Sequence, residues 1–528
     1  MLDIFLAAHT VDVGTLKKLQ DGTFDPTKDE ITPEVFSAAA ARISRDPRTI
    51  KELVDEASEQ VKKARKSNRT IVYAMNHHSI AEHATFGYGI MGLSRLGVEK
   101  LEHHRLCSFT EKSQRYITLD GDFIIPKEFD SGQRELFLNN VTRQNEFYFK
   151  VLPELIEYQK SQNPELVEQA KEAKARGVSD KMNRAMNTIE GWAKEDARYA
   201  LTMATEVQLA FAANARNLEY AIRGFKYEDL EEIQELGRLL YEPAAKIAPS
   251  LIIMADDDRF EKFKGIELDN SQFENGVENI QNAIGNYFMG WGNFIKRLND
   301  SIGDTNDVIL LDSDDCDKKL ISTLLVHRNV PITFEMADRV YGIMADDDKK
   351  KFIREVLKDT GRFDALPREA EFGDYEFQLN ISASCYAQLK RHRMTTQIAK
   401  DYDPHLGITV PESIKQIGKD QELKDICNMG SSSYFKISDG LRDQGKGFSS
   451  AQYVLTNAHR RLVKMKINDR EMCAFSRLRC DLHAQWDIRN IANQMVKIAK
   501  EVNPLTAAFY GGKHEFDQIR KQFYSDEK

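Results

Sequence analysis

The chain repeats itself, and that repeat limits the possible folds more than any bulk property. Residues 103–105 read His-His-Arg and residues 391–393 read Arg-His-Arg. Each triplet closes a helix-like segment that follows a strand-like one. The first strand, ATFGYGIMG, alternates Phe86, Tyr88 and Ile90 with small residues; the second, YEFQLNIS, alternates Tyr375, Phe377, Leu379 and Ile381 with polar ones. A period of two marks a half-buried strand in both. A second echo follows in the same order. Asn214-Ala215-Arg216-Asn217-Leu218 in the first half answers Asn468-Asp469-Arg470-Glu471-Met472 in the second, and each leads into a helical segment.

The copies differ in length between these marks: Arg105 to Asn214 spans 109 positions, Arg393 to Asn468 only 75. The surplus lies in residues 150–195, whose Glu, Lys and Gln content reads as a solvated helical hairpin. The expected organisation is a first domain at 1–258 carrying that insert, a linker at 259–318, and a second domain at 319–528. The linker region is acidic, with ADDD at 255–258 and DSDDCD at 312–317 near its ends. The expected class is α+β, with two related domains, each a twisted, mostly antiparallel sheet flanked by helices.

Composition narrows the function. A hydrophobic fraction of 41% with 30% charged residues is that of a soluble globular protein. No apolar run approaches the length of a bilayer span. The start, MLDIFLAAHTVDVG, lacks a basic n-region and is not read as a signal peptide. Six cysteines without a CxxC pair read as reduced thiols of a cytoplasmic protein. A net charge of −9 argues against a nucleic-acid partner, but a local arginine cluster can still hold a small anion.

Residues 76–119, NHHSIAEHATF…EHHRLCSFTEKSQRYITL, resemble the signature region of flavin-dependent thymidylate synthases. That family carries Arg-His-Arg, seven residues, then Ser. Here His103-His104-Arg105 is followed by seven residues and Ser113, with His103 departing from the pattern. Glu111, Gln114, Arg115 and Tyr116 fit the family's nucleotide-binding loop, and Ser79-x-x-Glu82-His83 fits upstream. The second half is similar in other places: Gln388-Leu-Lys-Arg391-His392-Arg393, Asn468-Asp-Arg470, and Arg479-Cys-Asp-Leu-His483-Ala-Gln-Trp486. It departs after its Arg-His-Arg, where Ala399, Asp401 and Asp403 replace the acidic residue, the serine and the arginine.

The departures are complementary. The first half keeps Glu111, Ser113, Gln114, Arg115 and Arg198 but has Phe225, Asp229 and Lys100 where the second keeps Arg479, His483 and Gln388; the second has Gln452 in place of Arg198. The resemblance implies a flavin enzyme that methylates dUMP reductively to dTMP, with FAD, NADPH and 5,10-methylenetetrahydrofolate. It implies dUMP contacts from Glu111, Ser113, Gln114, Arg115, Arg198, Gln388 and Arg479, of which Glu111, Ser113 and Arg479 are the catalytic candidates. It implies FAD contacts from Ser79, Glu82, Arg391, His392, Arg393, Asn468, Arg470 and His483. Since the family builds each site from several subunits of a tetramer, the fused chain is expected to form a homodimer, a pseudo-tetramer with one hybrid site type retained. Arginine forks suit a phosphate dianion, and Arg479 suits charge developing on the uracil carbonyls. A different pyrimidine or one-carbon donor, and a non-catalytic nucleotide-binding scaffold, are the competing readings.

Other features carry plainer readings. Cys107 lies in the motif but is read as packing rather than as a nucleophile. The histidines at 77, 78, 83, 103 and 104 match no metal-ligand spacing, so no metal is expected. Gly87-x-Gly89-x-x-Gly92 sits inside a strand, with 93–112 read as one helix, so it is not a dinucleotide fingerprint; its glycines let another backbone or a ligand approach. Trp486 is read as helix packing.

Overall fold

A computed structural model describes residues 2–113, 120–179, 183–264, 268–288, 306–328 and 330–525. In the first copy, β1 (Asp3–His9), β2 (Thr85–Ser94), β3 (Ser108–Glu111) and β4 (Glu206–Asn214) form one sheet in the order β1-β2-β4-β3. In the second, β5 (Val308–Ser313), β6 (Asp374–Ser382), β7 (Thr396–Ala399) and β8 (Arg460–Asn468) form another in the order β5-β6-β8-β7. Every pairing is antiparallel. The α+β expectation with two homologous sheets holds.

The registers agree residue by residue. Thr85 pairs with Asn214 and Asp374 with Asn468; Ser94 pairs with Glu206 and Ser382 with Arg460. Glu111 opposes Leu209 and Ala399 opposes Val463, so Glu111 and Ala399 hold equivalent places. One residue breaks the correspondence. Gly92, at φ 76°, sits where the β2–β4 register shifts, and β6 runs against β8 without a shift. A bulge needs that left-handed backbone, which glycine adopts without strain.

Local chemistry explains the shared strand-to-helix joints. Ser94 and Ser382 end β2 and β6, and their side chains accept the amides of Gly97 and Cys385. Asn214 and Asn468 do the same after β4 and β8, capping the helices Ala215–Phe225 and Asp469–Arg479. Each cap satisfies an otherwise orphaned helix N–H. The alternating side chains Phe86, Tyr88 and Ile90, and Tyr375, Phe377 and Leu379, are buried. The helix Glu231–Ile247 packs on β1 and β2, and the helix Trp486–Val502 on β5 and β6.

Several expectations need correction. Residues 93–112 are not one helix: the helix Arg95–Glu102 ends and β3 follows. A four-residue strand is too short to show a period. Residues 308–313, inside the stretch expected to be linker, form the edge strand β5. Most of the described residues within 150–195 fall in the helices Ser131–Gln162, Pro164–Ala175 and Arg184–Ala197; the middle helix is largely solvated as expected, but Val151, Leu155, Ile189 and Ala193 of the outer two are buried.

The chain makes two compact units, and neither is contiguous in sequence. One comprises residues 1–145, 202–301 and 432–454; the other comprises 146–201, 302–431 and 455–528. Each therefore contains one sheet and a segment from the opposite half. In the first unit, Tyr453 donates to the Glu232 carboxylate, which also accepts from the Ser94 hydroxyl. In the second, Tyr199 donates to Asp487 at 2.9 Å, and Ser382 donates to the same oxygen at 2.6 Å. Burial raises the pKa of both carboxylates. The same serine–carboxylate–tyrosine arrangement thus secures the exchanged segment in each unit.

Candidate active site

The second unit holds a polar cluster at the end of the helix Asp469–Arg479. Arg479 Nε donates to His392 Nε2 at 2.9 Å, Nη1 to the Gln388 side-chain oxygen at 3.2 Å, and Nη2 to the Gln388 carbonyl at 2.9 Å. On its other side, His392 Nδ1 lies 3.3 Å from Glu471 Oε1. The Phe475 ring meets the imidazole edge-on at 4.8 Å. An Nε2 that accepts a hydrogen bond belongs to a neutral ring, with the proton on Nδ1 facing Glu471. Burial favours that form by lowering the His392 pKa, while Glu471 works in the opposite direction. Three bonds therefore orient the guanidinium.

The first unit carries the same scaffold with different side chains. Phe225, at the place of Arg479, is buried, and His104 packs edge-on against it at 5.2 Å. Burial takes the His104 pKa down to about 4. Lys100, at the place of Gln388, pairs with Glu228 at 2.9 Å. Asp229, at the place of His483, accepts from Ser449 at 3.0 Å. Gln452, at the place of Arg198, donates to the Ser449 carbonyl at 3.1 Å.

This unit retains a different polar pair. Arg95 Nη1 lies 3.1 Å from Glu111 Oε1, and the two side chains are only 4% and 6% exposed. In the second copy both positions are alanine, Ala383 and Ala399. Ser113 follows, half-buried. Gln114 and Arg115 lie outside the described residues.

The remaining predicted residues are distributed as follows. Arg198, 4% exposed, belongs to the second unit, where its carbonyl accepts from Asn457 at 3.0 Å. Arg391 and Arg393 are exposed on either side of buried His392. His483 is exposed and pairs with Asp481 at 2.8 Å. Asn468 is the helix cap described above. Arg470 binds Glu371 at 3.0 Å and the Leu366 carbonyl at 2.9 Å. Ser79 and Glu82 lie in the first unit, where Glu82 pairs with Arg216 at 2.5 Å. Glu82–Arg216 and Glu371–Arg470 are equivalent, partly exposed ion pairs in the two copies. The structure thus gathers Gln388, His392 and Arg479, and leaves Ser79, Glu82, Glu111 and Ser113 in the other unit.

Comparison with known proteins accounts for this duplicated pattern. The family model of the thymidylate synthase complementing protein matches residues 29–250 and again residues 322–505. The chain belongs to this family. It carries the family domain twice and is by kinship a flavin-dependent thymidylate synthase-like enzyme. The flavin-dependent thymidylate synthase of Clostridium tetani is 29% identical over 225 residues, 42% of this chain and 80% of the relative. That of Pyrococcus furiosus is 30% identical over 181 residues, 33% of this chain and 60% of the relative. The UPF0159 protein Ta1429 of Thermoplasma acidophilum is 24% identical over 468 residues, 83% of this chain and 87% of the relative, so that match runs through both copies. Among solved structures, the UMP/dUMP methylase PolB of Streptomyces cacaoi aligns at a TM-score of 0.30 and 17% identity, over 38% of this chain and 92% of PolB.

Two residues outside the expected site pair with its members: Glu471 with His392, and Arg95 with Glu111. Glu471 lies in the repeated Asn468–Met472 segment and Arg95 outside the motifs, and in both cases it is the pairing in space that marks them. Cys107 is buried at 2% exposure and fills a packed position. Trp486 stacks on Tyr199 at 5.6 Å and donates to Asp196 at 2.7 Å, as a packing residue does. At Gly89, a Cβ would come within 2.4 Å of the Phe5 ring, so the glycine admits a neighbouring strand's side chain. No helix among the described residues is long and apolar enough to cross a membrane.

Proposed function

We propose that this chain converts dUMP to dTMP by reductive methylation, using 5,10-methylenetetrahydrofolate with the hydride drawn from NADPH through FAD, at a site drawing on both copies. The observation that supports the reading is complementary retention on equivalent backbone positions. Arg479, Gln388 and His392 form an ordered cluster where the first copy has Phe225, Lys100 and His104. Glu111 is held where the second copy has Ala399.

The roles follow from charge. Arg115 and Arg198 suit the nucleotide phosphate, with Ser113 and Gln114 as neutral donors. Arg479 suits the electron density that builds on the uracil carbonyls, and Gln388 holds it for that task. The residues expected to hold FAD fit in part. Arg391, Arg393 and His483 are exposed at the ends of neighbouring segments and suit a pyrophosphate, with Ser79 and Glu82 as candidates for FAD groups that donate hydrogen bonds. Asn468 and Arg470 are bound within the fold and act as supports for that region. When bound, the flavin supplies the hydride chemistry, and the protein orients the reactants and excludes water. The chain acts as a cytoplasmic homodimer without nucleic-acid or membrane partners.

The test is product formation. Protein incubated anaerobically with FAD, NADPH, methylenetetrahydrofolate and dUMP should yield dTMP by mass spectrometry, and Arg198→Ala or Arg479→Ala should sharply reduce it. A flavin-loaded protein without dTMP would point to another pyrimidine or one-carbon donor. A protein that holds neither flavin nor nucleotide would point to a scaffold.

A further inference from the structure

We propose that Glu471 is a positioning residue that sets the orientation of Arg479 through His392. The inference rests on the reading of Arg479 as a dUMP-binding group. His392 can accept from Arg479 Nε only if its proton sits on Nδ1, and Glu471 is the acceptor that faces Nδ1. Without that acceptor the ring has no reason to prefer Nδ1–H. The alternative tautomer, or the imidazolium, turns an N–H toward an N–H and breaks the contact with Arg479. The arrangement is that of a buried histidine whose outer partner fixes its tautomer so that its inner face can hold a functional group.

The first copy supplies the contrast. Asn217 stands at the place of Glu471, and its side-chain amide donates to the Leu106 carbonyl at 3.3 Å. His104 meets Phe225, which has no N–H to position. The carboxylate is therefore present in the copy that has an arginine to orient and absent from the copy that does not. The charged groups facing His392 are Arg479 and Glu471; its other described neighbours in the cluster, Gln388 and Phe475, are uncharged. Glu471 is 21% exposed at its side chain, and its amide is held by the Asn468 cap, so the carboxylate is anchored at the first turn of its helix.

The experiment uses the full-length protein with FAD and measures dUMP affinity as a function of pH. Glu471→Ala should weaken dUMP binding about tenfold, the lower end of what outer partners of ligand-holding histidines contribute. Glu471→Asp should restore most of it, and melting temperature should change little in either variant. The acid loss of dUMP affinity should move to lower pH in Glu471→Ala, because the carboxylate that raises the His392 pKa is gone. Unchanged affinity and an unchanged acid limb in Glu471→Ala would overturn the proposal. A wild-type protein that binds no dUMP would instead overturn the thymidylate reading. The tautomer is then decided by 15N-histidine spectra, with His392 assigned by His392→Gln. An Nδ1–H ring that changes form in Glu471→Ala supports the positioning role; an Nε2–H ring in the wild type refutes it.

Discussion

The two sheets use the same strand order, the same serine and asparagine caps and the same glutamate–arginine pair, yet their helix ends carry opposite chemistry. At the end of the helix after β8, Arg479 is tied into a polar cluster; at the end of the helix after β4, Phe225 is buried against His104. At the end of β3, Glu111 is paired with Arg95; at the end of β7 both partners are alanine. Strand pairing and capping are backbone matters, and both copies need them in order to fold. The helix and strand ends make no ladder pairs that both copies need, so duplication leaves them able to diverge. On the proposed reading, each copy has kept one part of a nucleotide site and replaced the other with contacts internal to its own unit.

The contrast can be broken deliberately. The largest effect is expected at Arg479: changing it to Ala should lower dTMP formation about 10²–10³-fold, the loss typical of one preorganised donor. Phe225→Ala should leave the rate per folded molecule unchanged while costing about 3–5 kcal/mol of stability, read by denaturant titration. Next comes Arg95→Ala, which removes the buried cation paired with Glu111 and should cost about 3–5 kcal/mol. The double change Arg95→Ala with Glu111→Ala reproduces the alanines of the second copy; it should recover most of that stability but not the activity.

Smaller still, Glu232→Ala and Asp487→Ala should each cost about 1–3 kcal/mol, because each leaves a buried serine and tyrosine hydroxyl without its acceptor. A large loss from one and none from the other would show that the two exchanged segments are not held alike. A further effect is a slope with pH. Burial pushes Asp196 up to about 7, despite hydrogen bonds from Ser413 and Trp486, and Glu219 likewise to about 7 in the first unit. The folded protein then keeps protons that the unfolded chain releases between about pH 4 and 7. Stability from these groups is fullest at acid pH, falls through that window and levels off above it. Melting temperature against pH should show that decline, and Asp196→Asn should flatten it.

Much of this was legible in the residues. The alternation of β2 and β6, the matched Asn214 and Asn468 segments and the complementary losses all sit in local pattern, and the registers bear out the first two. The edge strands β1 and β5 and the short β3 and β7 were not legible, because DIFLAAH and VILLDS do not alternate cleanly, four-residue strands are at the limit of any period, and edges are defined by a partner. The exchange of residues 146–201 and 432–454 was hidden for the same reason. The Glu-, Lys- and Gln-rich insert looks solvated by composition; the helix Pro164–Ala175 is, with only Ala170 buried, while Val151, Leu155, Ile189 and Ala193 of the flanking helices are buried. Glu471 and Arg95 were missed because each acts through another side chain, and sequence spacing does not report a tautomer or a buried pair.

The central claim is that the two copies together retain one nucleotide site type rather than two. The number of dUMP molecules bound per chain tests it most directly, by equilibrium binding to the flavin-loaded protein. The account predicts one per chain, lost on Arg198→Ala from the first copy and equally on Arg479→Ala from the second. Two per chain, or one that survives either substitution, would contradict it.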